Sequence, residues 1–156
     1  MPLSKATLKS ALISGPYASS CPTSSTEAAS GWVTAMSTYF AAMASPPVGT
    51  GVATAAAPVS AALAGTMATV PVTNDATVTF APIDGLISSI SALAASMVVG
   101  AATYSGTFGD YAFEGVIDED TASEAADKVA DNIHSHITNI ANCTFTPPSG
   151  TPTTWA

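Results

Sequence analysis

Read for the spacing of apolar positions, the chain divides into helical stretches separated by proline and glycine. The clearest follows Ser24: Trp32, Val33, Met36, Tyr39, Phe40 and Met43 recur at intervals of three and four and make one broad apolar face. Ser24-Ser25-Thr26-Glu27 fits a capping box, in which hydroxyl and carboxylate satisfy free N–H groups of the first turn. Ser45-Pro46-Pro47 ends the run, because the second ring disfavours helical geometry in the residue before it. A second run, Ile83, Leu86, Ile87, Ile90, Leu93, Met97 and Val98, predicts a helix capped by Asp84. Its other side is Ser and Ala, small enough for a neighbouring helix to approach closely. A third begins at another capping box, Thr121-Ala122-Ser123-Glu124, and continues through Ala125, Val129, Ile133, Ile137 and Ile140.

Shorter patterns fill the rest. Leu3, Leu8, Leu12 and Ile13 predict a helix over 3–14, with Ser4 as its cap and Gly15-Pro16 as its end. Val59, Leu63 and Met67 predict a helix from near Ala57, where Pro58 is tolerated in the first turn, to Pro71. Val72 to Phe80 alternates apolar residues with threonine and reads as a strand or extended arm. Gly100 to Gly115 is rich in glycine and aromatics, as in a long loop or a β-hairpin. Cys143-Thr144-Phe145-Thr146 reads as a short strand, and Pro147-Pro148 opens a polar tail.

The expected fold is mainly α: a compact bundle of four to five helices with a small β-hairpin or extended-arm element. One domain over 1–156 is expected, with an N-terminal helix and loop (1–22), a helical core (23–143) and an extended tail (144–156). Trp32, Tyr39, Phe40, Leu86, Ile90, Leu93, Val129, Ile133 and Ile137 are expected to share the core.

Composition changes this picture at the surface. Ala, Ser and Thr supply 71 of 156 residues, Arg and Gln are absent, and the cations are Lys5, Lys9 and Lys128. Charged residues make up 9% of the chain, against about 25% in ordinary globular domains. Such a surface carries hydroxyls and methyls instead of charges. Either neighbouring copies cover it, the favoured reading, or the chain is an extracellular or low-complexity product. A net charge of −8 argues against nucleic acid and against an anionic membrane surface, since both need clustered cations. The apolar stretch from Ile83 to Ala102 is interrupted by Asp84 and four serines, which suits a packed helix and not a membrane span. The segment after Lys5 and Lys9 is too short for the apolar part of a secretory signal.

Candidate chemistry is sparse. His134 and His136 stand about 200° apart on a helix, so both cannot ligate one metal from a regular turn. Asp118-Glu119-Asp120 begins like a calcium loop, but Ala122 stands where an oxygen ligand belongs and no glycine supplies the turn. Gly-Thr-Gly at 49–51 and the glycines at 104–109 lack the lysine of a phosphate loop. No cofactor or metal is expected, and the chain is read as non-catalytic. Cys21 and Cys143 fall at the same end of the bundle if their helices pack antiparallel, which leaves a disulfide and two buried free thiols both open.

The opening Met1-Pro2-Leu3-Ser4-Lys5-Ala6-Thr7-Leu8, the Ala/Ser/Thr-rich helices and the tail Pro147-Pro148-Ser149-Gly150-Thr151-Pro152 give the whole chain a texture that resembles the small virion proteins of tailed bacteriophages. The resemblance implies a neck, tail or baseplate subunit in the virion, partnered by identical copies in a ring and by other virion proteins. A surface or host-recognition module using the aromatic loop 104–113 is the alternative. Neither terminus has an evident partner in its own sequence. Leu3, Leu8, Tyr104, Phe108, Tyr111, Phe145 and Trp155 are therefore the candidate contacts to other subunits, with aromatics as the usual carriers of interface energy.

Overall fold

The structure, a computed structural model, describes residues 3–20, 22–42, 61–69, 81–88, 98–99, 102–103, 105–109, 111, 113, 121–146, 150–151 and 153–155. It is mainly helical: α1 (Lys5–Ser14), α2 (Ser25–Ala41), α3 (61–67), α4 (81–88) and α5 (Ala122–Thr138). Two small antiparallel sheets accompany them. In one, β1 (Val98–Val99) pairs with β2 (Ala102–Thr103). In the other, β4 (Cys143–Thr146) lies between β3 (Ser105–Phe108) and β5 (Thr153–Thr154). The bundle of helices with a small hairpin matches the pattern of apolar positions.

Both capping boxes form, each with a change of partner. Ser24 Oγ accepts the Glu27 N–H at 3.2 Å, but the Glu27 carboxylate reaches one residue further back, to the N–H and hydroxyl of Thr23, both at 2.8 Å. Thr121 Oγ1 accepts the Glu124 N–H at 3.2 Å and donates to the Glu124 carboxylate at 2.7 Å. Ser4 stands at the N-cap of α1, yet its hydroxyl makes no cap bond; its carbonyl takes the Leu8 N–H at 3.1 Å.

One cluster gathers the buried side chains of all five helices, including Leu8 and Leu12 of α1, Trp32, Met36, Tyr39 and Phe40 of α2, Leu63 of α3, Leu86 and Ile87 of α4, and Val129, Ile133 and Ile137 of α5. Seven of the nine residues expected to share a core are in it; Ile90 and Leu93 lie outside the described residues, as do the 72–80 arm and Cys21. Helix α1 packs against both α2 and α5. Its crossing with α2 depends on two glycines: a Cβ on Gly15 would stand 3.0 Å from the Gly31 carbonyl oxygen, and one on Gly31 would stand 3.1 Å from the Pro16 nitrogen.

Four expectations are corrected. Asp84 lies within α4 and does not cap it; its carboxylate accepts the Phe113 N–H at 3.3 Å instead. Val98 belongs to β1, so the apolar run after Ile83 changes from helix to strand before it ends. Ile140 lies beyond the end of α5 and is 57% exposed. Asn139 turns the chain there: its carbonyl accepts the N–H groups of Asn142 and Cys143, and its side chain accepts that of Ala141. Finally, the C-terminal segment is no free tail. β5 adds to the edge of β4 through Thr144–Thr154 and Phe145–Thr153 pairing, and Trp155 is 1% exposed in the common core.

Candidate functional site

The candidate contact residues are the first to be placed. Leu3, Leu8, Tyr111 and Trp155 are all buried in the protein's own core, which removes them as anchors for a neighbour. The physical reason is that each has an intramolecular partner surface that linear spacing does not reveal. Leu8 fills the space α1 makes with α2 and α5, and β-pairing delivers Trp155 to the core from a segment that looks unpartnered. Phe108 and Phe145 are on adjacent strands of one sheet, with Phe108 opposite Cys143 and Phe145 opposite Gly106. Tyr104 and the side chains of Phe108 and Phe145 lie outside the described residues.

A polar seam runs along the C-terminal half of α5. Tyr39 Oη and His134 Nδ1 are 2.7 Å apart, and the two rings meet edge to face. Two residues on, and on the other side of the helix, His136 Nε2 donates to the Gly109 carbonyl at 3.0 Å while the Asn142 amide donates to its Nδ1 at 3.4 Å. Tyr111 stacks edge to face on His136 and donates to Asn132 Oδ1 at 2.6 Å. The histidines therefore diverge, as their spacing requires, and each ties α5 to a different neighbour instead of lying exposed. The amide of Asn142 is engaged in this seam, and the formal sequon Asn142-Cys143-Thr144 runs from a bonded turn into β4.

Burial sets the electrostatics of the interior. It pushes the phenols of Tyr17, Tyr39 and Tyr111 above their ordinary range, Tyr17 to about 12. Cys143, a free buried thiol, is pushed up to about 11 by burial, with a backbone hydrogen bond from Gly109 opposing. A thiol so far from its thiolate is a poor nucleophile at neutral pH. Asp84 rises to about 6 through burial, with the Phe113 N–H opposing. On the surface, Lys5 bridges Asp127 (3.3 Å) and Asp131 (3.0 Å), and Lys9 pairs with Asp127 at 3.1 Å. These pairs raise Lys5 and lower Asp127, and they fasten α1 to α5 at a site open to water and salt. Among the described residues no three metal-ligating side chains converge, and no helix is long and apolar enough to cross a membrane.

A concavity lies elsewhere, along the outer face of α1 and α2. It is an open groove of about 590 Å³, lined by Ala6, Thr7, Ser10 and Ser14 on one side and by Gly31, Thr34 and Thr38 on the other. None of its lining side chains is charged. Ser14 and Thr38 turn their hydroxyls back onto Ser10 and Thr34 carbonyls, at 2.9 and 2.8 Å, which makes the floor still less polar. The groove offers small, neutral surface, while the titratable seam of α5 is half-buried against its neighbours.

Comparison with protein families, with curated proteins and with solved structures finds no match to this chain.

Proposed function

We propose that the protein is a structural subunit of a multi-subunit particle, a tailed-phage virion component of the neck, tail or baseplate, acting through contacts with identical copies and other virion proteins. The observation that carries this reading is the uncharged outer face of α1 and α2. On α1 the exposed positions Ala6, Ser10 and Ser14 succeed one another at every fourth residue, and on α2 Thr34 and Thr38 do the same. Short side chains lose little rotamer freedom when covered, and a face without charge is covered without stranding an ion. A solitary protein of net charge −8 gains nothing from keeping one face neutral; a packed subunit does. The face replaces the chain termini as the expected contact. The alternative of an aromatic recognition loop loses Tyr111, which is 4% exposed and bonded inward.

Sedimentation or light scattering of the purified chain tests the reading. A discrete species several times the 15.4 kDa chain mass is expected, and Thr34→Lys should dissociate it while leaving the melting temperature nearly unchanged. A monomer at all accessible concentrations, or an oligomer indifferent to Thr34→Lys, overturns it.

A further inference from the structure

We propose that the Tyr39–His134 hydrogen bond is an acid-weakened latch between α2 and α5, satisfied in full while the neutral imidazole accepts the phenol proton and weakened when the ring takes a second proton and the bond must reverse. Tyr39 is fully buried, so its hydroxyl proton cannot turn to water. The acceptor it finds is His134 Nδ1 at 2.7 Å, which presents a lone pair when the ring is neutral and protonated on Nε2. A second proton occupies that lone pair. The Nδ1–H of the charged ring then donates to the phenol oxygen, and the phenol must swing its own proton away from the ring into a core formed by Phe40, whose ring centroid is 5.4 Å away, and the buried Cys143.

The surroundings set how readily the ring charges. Tyr39 faces it from α2. From α1, the Lys5 ammonium opposes a positive ring; on α5 itself, Asp131 favours one but is engaged with Lys5 at 3.0 Å. Behind the phenol, the Cys143 thiol of β4 stays neutral. Asp127 is held by Lys5 and Lys9. Burial outweighs the pull of Asp131, so the ring is harder to protonate than a free histidine. A histidine held neutral contributes stability that is present above about pH 6.5 and is lost as pH falls below it, because the unfolded chain takes the proton first. Helix α1 packs on both helices that the latch joins, so acid loosens the seat of that helix.

The test is a pair of measurements on the intact chain. In an NMR titration of the histidine ring signals, His134 should titrate below 6.5, and in Tyr39→Phe it should move up towards 6.5, because the donor that favours the neutral ring is gone. In urea unfolding, the ratio of the unfolding constant of wild type to that of His134→Gln should rise several-fold between pH 7.5 and pH 5. Taking this ratio cancels the contribution of Asp84, which both proteins share. A His134 titration at or above 6.5, one unmoved in Tyr39→Phe, or a ratio independent of pH overturns the latch. The NMR arm on wild type decides the matter even if His134→Gln fails to fold.

Discussion

At the scale of single residues, the interior seats several polar groups against its apolar core. Asp84 is the clearest case. Spacing places it at the head of an apolar helix, where a carboxylate caps free N–H groups, yet the chain uses it one turn in, to hold the Phe113 backbone. Half-burial raises its carboxyl from 3.8 to about 6. The folded state therefore holds this proton more tightly than the unfolded state does. Its contribution to stability is full below about pH 4 and is lost as pH rises through 6. Asp84→Asn keeps an oxygen to accept from Phe113 and removes the charge. The variant should be at least as stable as wild type at pH 7.5, and its stability relative to wild type should rise between pH 4.5 and 6.5, the groups common to both proteins cancelling in that difference, as read by urea unfolding at several pH values. A steeper loss in the variant would mean that the carboxylate form is the one the fold favours.

At the scale of elements, helix propensity and helix packing pull apart at the glycines. Gly65 in α3 and Gly85 in α4 have open space where a Cβ would stand. Alanine at either position should stabilise by about 0.5–1 kcal/mol through propensity and loss of unfolded-state entropy. Gly31 sits inside α2 and has the same intrinsic preference for alanine, but there the new carbon meets backbone of Pro16 and Gly15 at 3.1 and 3.2 Å. Backbone cannot move aside as a flexible side chain can, so Gly31→Ala should cost about 1–3 kcal/mol in spite of propensity. Thermal melts of the three single variants settle this; three shifts of the same sign would show that the α1–α2 crossing is not tight. The same crossing lets α1, at ten residues too short to be stable alone in water, hold its place. It is stable because Leu8 and Leu12 are fully buried between two neighbours.

At the scale of the whole molecule, the C-terminus closes the fold. β5 pairs with β4, β4 pairs with β3, and Trp155 enters the same cluster as Tyr39 and Ile133. Trp155→Ala should therefore cost about 3–5 kcal/mol, a large share of the roughly 5–15 kcal/mol that holds a domain of this kind together. Removal of 147–156 should lower the melting temperature by circular dichroism, and an unchanged melt would return the tail to the role of an external arm.

What the linear sequence determines here is local. The positions of the α2 and α5 apolar faces, the two N-terminal caps and the 143–146 strand follow from periodicities and hydrogen-bonding rules that act over a few residues, and they are legible in Trp32 to Phe40, in Val129 to Ile137 and in Ser24 and Thr121. The divergence of His134 and His136 is legible for the same reason, since two residues on a helix fix an angle. Other features depend on pairings between distant segments. Trp155 reads as exposed because Thr153 and Thr154 become a strand only when Thr144 and Phe145 stand beside them. Asp84 reads as a cap because Phe113, 29 residues on, is invisible to local spacing. Gly31 reads as a weak point in a helix until Gly15 is brought against it. In each case the short-range preference is worth about 1 kcal/mol or less, and the tertiary contact that overrides it buries a ring, satisfies a backbone N–H or seats one helix on another.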